Sequence, residues 1–239
     1  MGVLNTILDN ISAGKRMLAV LLDPEKINIY DLPELVRIIN RSETDFIFVG
    51  GSGYYGHIDN FITSLKVKQP IVIFPGDINQ FSPKADALLF LSLLSGRNAE
   101  MLVGQHIKVA KSVKRSGIEV IPVGYILVDG GKESNVEKYS QTKPLTELGE
   151  IVNTAIAAEL LGKQLVYLEA GSGAVSPIAE EIIKTVKLNI NIPLIVGGGI
   201  KSIDQMHQAF NAGADIVVIG NYFEEKAEDI ITFSKNKTQ

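Results

Sequence analysis

The chain has 239 residues, of which 46% are hydrophobic and 21% charged, with a formal net charge of −4, three histidines and no cysteine. These values suit one α/β domain spanning residues 1–239; they exclude disulfides and thiolate chemistry, and the three scattered histidines argue against a zinc cage. The absence of basic runs argues against nucleic acid as a partner. No segment approaches the ~18 apolar residues of a membrane span, and we expect a cytoplasmic protein.

Eight short apolar runs recur along the chain, and most are separated by amphipathic segments. Such runs are typical of parallel strands buried on both faces. They span residues 17–23, 45–51, 70–76, 87–93, 119–128, 164–171, 193–199 and 215–221. The helical segments span residues 31–40, 57–66, 98–117, 146–162, 177–187 and 202–213. This alternation predicts a (β/α)₈ TIM barrel, with a doubly wound open sheet as the alternative.

The connection between the third and fourth strands is irregular. Only residues 78–86, "INQFSPKAD", separate the two runs, which is too short for a crossover helix and includes a proline. A missing or replaced helix would leave an apolar groove on the outside of the barrel. The alternative is that a neighbouring subunit or the N-terminal helix covers this loop.

Polar residues at the carboxyl ends of the strands are the candidates for chemistry, because TIM barrels place their active sites there. They are Asp23, Glu25, Ser52, Asp77, Arg97, Asn98, Tyr125, Asp129, Glu169, Ser172, Gly197 to Gly199, Gly220 and Asn221. The glycine-rich turns after strands seven and eight predict a phosphate site. The alternative is that these glycines only make tight turns.

Two further groups of residues have a predicted role. Asp23 follows strand one and could hold Mg²⁺, and Ser52 could join it, although either residue could instead cap a helix. Tyr167 and Glu169 share one face of strand six, where a phenol and a carboxylate can bind alcohol groups. The alternative for Glu169 is a buried ion pair, but the sequence offers no obvious basic partner on a strand.

The motifs "LLDPEK", "VGGSGYYG", "FPGDINQFSPKADALLFLSLLSGRN", "VGYILV", "YLEAGSGA", "VGGGIKS" and "IGNYF" together resemble the geranylgeranylglyceryl phosphate synthase family, which includes bacterial heptaprenylglyceryl phosphate synthases. The resemblance runs in order from Leu18 to Phe223. Bacterial heptaprenyl members tend to have lysine where this chain has Leu21, which favours the geranylgeranyl branch. The resemblance also implies a replaced barrel helix beside a prenyl groove.

The resemblance implies an Mg²⁺-dependent prenyltransferase that joins a long-chain prenyl diphosphate to the C3 hydroxyl of sn-glycerol 1-phosphate, an early step of ether-lipid biosynthesis. It implies Asp23 and Ser52 at the metal site and Glu169 and Tyr167 as catalytic residues. The residues implied to bind glycerol 1-phosphate are Tyr167, Leu168, Glu169, Ala170, Gly171, Ser172, Gly173, Gly198, Gly199, Gly220 and Asn221.

A homo-oligomer, a dimer or a hexamer, is expected, and peripheral contact with a membrane is compatible with the expected substrate. Two other functions use the same phosphate turns. One is a phosphosugar isomerase or synthase, which would need an acid/base pair and no long apolar groove. The other is a phosphate-ligand binding protein without catalysis.

Overall fold

The computed structural model describes residues 2–51, 58–77 and 79–238, in which eight parallel strands close into a barrel in chain order. The predicted TIM barrel is confirmed, and the closed sheet overturns the open-sheet alternative. The strands are β1 Met17–Leu22, β2 Phe46–Val49, β3 Ile71–Ile73, β4 Ala87–Leu93, β5 Glu119–Leu127, β6 Leu165–Glu169, β7 Leu194–Gly197 and β8 Ile216–Ile219. Each predicted run contains one strand, and the residues of the run that follow the strand belong to the loops of the mouth.

Helices follow most of the strands. They are α1 Val3–Ser12, α2 Leu32–Arg41, α3 Ile58–Ser64, α4 Gln105–Ser116, α5 Asn135–Ser140, α6 Leu148–Leu160, α7 Glu180–Asn189, α8 Ile203–Ala212, α9 Asn221–Glu225 and α10 Asp229–Asn236. A π-helical turn, Glu100–Gly104, leads into α4. Among the described ranges, no helix is long and apolar enough to cross a membrane.

Side chains alternate along the strands between two hydrophobic clusters. One fills the barrel and contains Phe48, Tyr125 and Tyr167. The other lies between the sheet and the helices and contains Leu88 and Leu168. This alternation follows from the period of two along a strand, and it decides which residues of the mouth face the cavity.

The described parts of the β3–β4 connection, residues 74–77 and 79–86, contain no helix, as the sequence predicts. The N-terminal helix does not cover this region, so that alternative is wrong. Instead α1 closes the amino-terminal end of the barrel, where the Leu4 N–H donates to Glu119 Oε1 at 3.0 Å and Ile7 packs into the inner cluster. Cover by a second subunit stays a prediction.

Aspartates join pairs of strands at the amino-terminal end. Asp45, Asp86 and Asp215 each directly precede an even-numbered strand. Their carboxylates accept the N–H groups of Leu18, Ile71 and Leu194 at 2.8, 2.7 and 2.7 Å. Their own N–H groups donate back to the carbonyl oxygens of the same three residues. Each aspartate therefore forms two hydrogen bonds, one from its carboxylate and one from its N–H, with the same residue of the preceding odd-numbered strand. We call the line along which two neighbouring strands meet a seam.

The seam between β5 and β6 has the same backbone bond without the aspartate. The Gln164 N–H donates to the Pro122 carbonyl oxygen at 2.8 Å, and the Gln164 side chain is exposed. Proline has no N–H for a carboxylate to accept. An aspartate therefore occurs at the three seams where a strand N–H needs an acceptor, and glutamine stands at the fourth.

Candidate active site

The inner face of β6 brings Tyr167 and Glu169 to the mouth of the barrel, as their spacing predicts. Tyr167 is fully buried and Glu169 is 7% exposed. Glu169 Oε1 accepts the N–H of Gly171 at 2.8 Å. No lysine, arginine or histidine in the described part of the chain forms an ion pair with Glu169. The buried ion pair considered as its alternative is therefore absent from those residues.

Burial dominates the electrostatics of Glu169 and raises its pKa from 4.5 to about 7, although the Gly171 N–H and the Tyr167 hydroxyl favour the charged form. Desolvation disfavours the carboxylate more than these dipoles stabilise it. Near neutral pH the group is balanced between an acid and a base. Such a group can accept the proton of an alcohol or orient its hydroxyl.

Two phenols lie beside this carboxylate. The Tyr125 and Tyr167 rings pack edge to face with centroids 5.3 Å apart. Burial, and secondarily the Glu169 charge, raises the pKa of each phenol. The Tyr167 hydroxyl is buried and lies near enough to Glu169 to favour its charged form, but it forms no hydrogen bond of regular geometry with the described residues. Because buried polar groups are normally paired, this hydroxyl is a candidate partner for a ligand.

The turn after β7 needs glycine at two positions. Gly198 and Gly199 have φ values of +85° and +73°, which side chains disfavour. A Cβ on Gly198 would lie 2.5 Å from Glu169 Oε1, and one on Gly199 would lie 2.6 Å from the Ser176 carbonyl oxygen. The turn therefore passes too close to the β6 loop for any side chain. This geometry suits close backbone approach to an anion, as predicted.

The β6 and β8 turns meet beside it. Ser172 Oγ donates to Asn221 Oδ1 at 3.0 Å, and Gly171, Ser172, Gly173, Gly220 and Asn221 all line the same cavity as Gly198 and Gly199. Gly220 differs from the β7 glycines because its φ is −116° and a Cβ there would first meet Leu21 at 3.3 Å. The need for glycine is therefore weaker at Gly220.

Two residues of the predicted phosphate segment do not face the cavity. Leu168 and Ala170 are buried in the outer hydrophobic cluster, because they alternate with Tyr167 and Glu169 along β6. The Ala170 N–H is already bonded to the Gly197 carbonyl oxygen at 3.0 Å. The side chains of Leu168 and Ala170 therefore do not line the cavity, and the place of these residues among those that bind glycerol 1-phosphate stays a prediction.

Asp23 lies at the end of β1 and lines the cavity. Lys26 Nζ is 3.7 Å from Asp23 Oδ2 and 3.2 Å from Glu224 Oε1. A Cβ on Gly51 would lie 2.6 Å from the Asp23 carboxyl, so this glycine makes room for it.

Ser52, the second predicted metal residue, lies outside the described residues. The described chain has no cluster of three metal ligands. One or two carboxylates completed by substrate phosphates suit Mg²⁺, and Asp23 fits that requirement.

Gln80 was not identified from the sequence, although it ties two mouth loops together. Its Oε1 accepts the N–H groups of Gly51 at 3.3 Å and Gly76 at 2.9 Å, and its Nε2 donates to the Gly51 carbonyl oxygen at 2.5 Å. The side chain is 1% exposed. A polar residue in a connection between strands gives no sequence signal of burial, so only the fold reveals this contact.

Two other cavity residues were also missed, and both are lysines. Lys26 follows Asp23 within "LLDPEK", and Lys201 lies two residues after Gly199 of the β7 glycine turn. Lys201 Nζ donates to the Ala174 carbonyl oxygen at 3.2 Å. Their positions in the sequence, near Asp23 and near the β7 glycine turn, were the signal that could have identified them as site residues.

Three other residues of the predicted mouth set form local contacts. Asp77 Oδ1 accepts the Asn79 N–H, Arg97 Nη1 donates to the Gly96 carbonyl oxygen, and Asn98 Nδ2 donates to the Ser140 carbonyl oxygen. Arg97 and Asn98 therefore hold loop backbone, and neither lines the cavity.

The cavity continues from the mouth over β4 to the outer side of the sheet. There it is lined by Phe81, Leu88, Phe90, His106 and Val109, of which Phe90 and His106 have ring centroids 4.1 Å apart. Burial, and secondarily Lys163, lowers the pKa of His106, which favours its neutral form. The groove predicted from the missing helix is present, and its walls are mainly apolar.

A model of the PcrB family matches residues 12–237. The chain is 47% identical to the geranylgeranylglyceryl phosphate synthase of Zunongwangia profunda, covering 93% of this chain and 97% of that protein. It is 40% identical to the synthase of Pyrococcus horikoshii, covering 88% of this chain and 85% of that protein.

A solved structure of another such synthase is also similar to this chain. The (S)-3-O-geranylgeranylglyceryl phosphate synthase of Thermoplasma acidophilum, in complex with its substrate sn-glycerol-1-phosphate, has a TM-score of 0.88 and 33% identity. That comparison covers 98% of this chain and 99% of the other. The N-acetylmannosamine-6-phosphate 2-epimerase of Clostridium perfringens, at 13% identity and a TM-score of 0.57, shares the fold alone.

Proposed function

The chain belongs to the PcrB family, and since its curated relatives are geranylgeranylglyceryl phosphate synthases, we propose that it prenylates sn-glycerol 1-phosphate. The acceptor is the C3 hydroxyl, the donor is a long-chain prenyl diphosphate and the products are an ether-lipid precursor and diphosphate. One observation carries the proposal. A single cavity joins the glycine turns and Glu169 to an apolar groove on the outside of β4.

The two halves of the cavity suit the two substrates. The turns containing Gly198, Gly199 and Asn221 would receive the phosphate of the acceptor. Glu169 and Tyr167 lie below them and would bind the glycerol hydroxyls, because both are polar groups with unused hydrogen-bonding capacity in the described site. The outer groove would hold the prenyl tail. A phosphosugar isomerase has no need for such a groove, so the prenyl transfer is favoured.

The reaction exchanges one carbon–oxygen bond for another. The C3 oxygen of the acceptor bonds to the allylic C1 of the prenyl group, while the C1–O bond to diphosphate breaks and its electron pair leaves with the diphosphate. The hydroxyl proton departs to the Glu169 carboxylate or to water. Holding both reactants in this geometry lowers the barrier by ~7–11 kcal/mol in favourable cases.

The residues around Asp23 would bind the diphosphate of the prenyl donor. Asp23, together with Ser52, would hold Mg²⁺, which when bound neutralises charge that develops on the leaving group. Lys26, which contacts Asp23 and Glu224, adds a positive charge at the same edge. The Mg²⁺ requirement, the homo-oligomeric state and the cytoplasmic location stay predictions.

The test is a transfer assay with purified protein, radiolabelled sn-glycerol 1-phosphate, Mg²⁺ and prenyl diphosphates of increasing length. We expect a base-stable, organic-extractable ether product that forms with geranylgeranyl diphosphate. The enantiomer sn-glycerol 3-phosphate is the matched control and should react much more slowly. Binding of glycerol 1-phosphate without product from any donor would overturn the proposal in favour of a binding protein.

A further inference from the structure

Helix α4, Gln105–Ser116, carries an excess of positive charge in a chain whose net charge is −4. Its twelve residues include no aspartate or glutamate, while Lys108, Lys111, Lys114 and Arg115 are all exposed. Lys108 pairs with Glu100 at 2.6 Å. No carboxylate among the described residues forms an ion pair with the other three cations. The helix therefore presents three unneutralised positive charges to solvent.

Apolar side chains project from the same side of the helix. Ile107 is 69% exposed, and Val103 in the preceding π-helical turn is 52% exposed. Ile107, Lys111 and Lys114 are spaced i, i+4 and i+7, so they share one face. We call Val103, Ile107, Lys111, Lys114 and Arg115 the basic face. A helix surface that combines exposed apolar and cationic side chains is typical of binding to an anionic membrane surface.

The opposite side of α4 belongs to the protein interior. His106 and Val109 line the outer groove, and Val113 is buried. The helix therefore separates the groove from the solvent, with the basic face outward. A surface docked on the basic face would lie one helix diameter, roughly 10 Å, from the groove.

We propose that the basic face docks the protein on an anionic lipid surface. Its purpose rests on the proposed function, since a prenyl donor with a long apolar tail partitions into a bilayer and would enter the groove behind α4. The docking itself does not depend on catalysis. A second copy of this chain is a poorer occupant, because a two-fold contact would bring the same cations of both copies together.

The magnitudes are sufficient for reversible attachment. Each lysine or arginine near an anionic membrane strengthens binding roughly fivefold, and the effect is lost beyond a Debye length. Removing the three unpaired cations should therefore weaken membrane binding roughly 100-fold. Removing the exposed side chain of Ile107 should weaken it roughly tenfold.

The experiment is co-sedimentation of the full chain with phosphatidylglycerol or phosphatidylcholine vesicles at low and high salt. We expect binding to phosphatidylglycerol that falls with salt, and little binding to phosphatidylcholine. The test variants are K111Q/K114Q/R115Q and Ile107→Ser. Their matched controls are K66Q/K68Q/K184Q, which removes three exposed lysines elsewhere, and Leu188→Ser, which removes a 76% exposed leucine on α7.

The control variants should bind vesicles like the wild type, while the test variants lose affinity. All four should keep the wild-type rate with a short, water-soluble prenyl diphosphate, which separates docking from catalysis. Absent binding to phosphatidylglycerol, or equal losses in both triple variants, would overturn the proposal. So would dissociation of an oligomer by K111Q/K114Q/R115Q in analytical ultracentrifugation, since the face would then contact another copy. A failed transfer assay with intact vesicle binding would instead count against the proposed function alone.

Discussion

At the amino-terminal end of the barrel, the carboxylates of Asp45, Asp86 and Asp215 each accept a strand N–H, and two of them also pair with lysine. At the mouth, Glu169 is buried with one backbone N–H as a donor and a pKa of about 7. The first group of charges is compensated and stabilises the sheet. The second is left under-compensated, which costs stability and keeps a proton acceptor available. We therefore expect substitutions at the amino-terminal end to change the stability of the protein and substitutions at the mouth to change its turnover.

The largest expected effect is on turnover, from Glu169→Gln. The amide keeps the size and one acceptor oxygen but loses the charge, so the transfer rate should fall 10²–10⁴-fold while acceptor binding is partly retained. The melting temperature should stay equal or rise, because a poorly solvated charge is removed. Turnover and thermal unfolding of the same preparation check both halves. A wild-type rate would contradict the role given to Glu169.

Asp45→Ala should produce the converse result at the other end. It leaves the Leu18 N–H and the Lys237 ammonium without their carboxylate, and Lys237 is 8% exposed. We expect a loss of about 3 kcal/mol in the free energy of unfolding with turnover per folded molecule unchanged. Denaturant unfolding measures the loss. Asp86→Ala is the matched variant without a lysine partner, and it should cost less.

The pH dependence of stability should distinguish Glu169 by its sign. A carboxyl whose folded pKa of about 7 exceeds its ordinary value of 4.5 holds its proton more tightly when folded. Its contribution is therefore most favourable below pH 4.5 and is lost as the pH rises towards 7, by about 3 kcal/mol in all. The difference between wild-type and Glu169→Gln unfolding curves from pH 4 to pH 8 isolates this group. A flat difference would show that Glu169 titrates normally.

A smaller effect is expected at the loop contact that supports Asp23. Gln80→Met keeps the volume but removes the partners of the Gly51 and Gly76 N–H groups. We expect a loss of about 1–3 kcal/mol in stability and a raised KM for the prenyl diphosphate, with the acceptor KM unchanged. Asn79→Ala, at an exposed neighbouring position, is the control. Equal changes in both KM values would show a general disturbance of the mouth.

The smallest effect is expected at Gly220. Gly220→Ala meets only the Leu21 side chain, and the φ of Gly220 is negative at −116°, so acceptor binding should change less than at a glycine with a positive φ. Gly199→Ala is the matched partner, with a φ of +73° and a clash with Ser176, and it should weaken binding strongly. Calorimetry with glycerol 1-phosphate compares them, after circular dichroism confirms folding. Equal losses would mean that both turns need glycine for the same reason.

The periodicity of the sequence was sufficient to predict the barrel, the missing helix and the strand face that Tyr167 and Glu169 share. It was sufficient because buried parallel strands are continuous apolar runs and side chains alternate along them. The same alternation excludes Leu168 and Ala170 from the cavity, although the resemblance alone included them. Gln80 was beyond prediction, since its partners lie on two loops that only the closed barrel brings together. The helices α5, α9 and α10 are short and carry little periodic signal.

The reciprocal aspartate pairs also bear on how the barrel is assembled. They occur at the β1–β2, β3–β4 and β7–β8 seams, whereas Pro70 and Pro193 precede β3 and β7 at the seams between these units. The glutamine–proline seam of β5 and β6 keeps the same order. The barrel can thus be described as four two-strand units, three of which are joined by an aspartate and the fourth, β5 and β6, by the backbone bond alone. The amino-terminal end therefore repeats every two strands, apart from the missing aspartate at the fourth seam, whereas the loops of the mouth, which carry the chemistry, do not repeat.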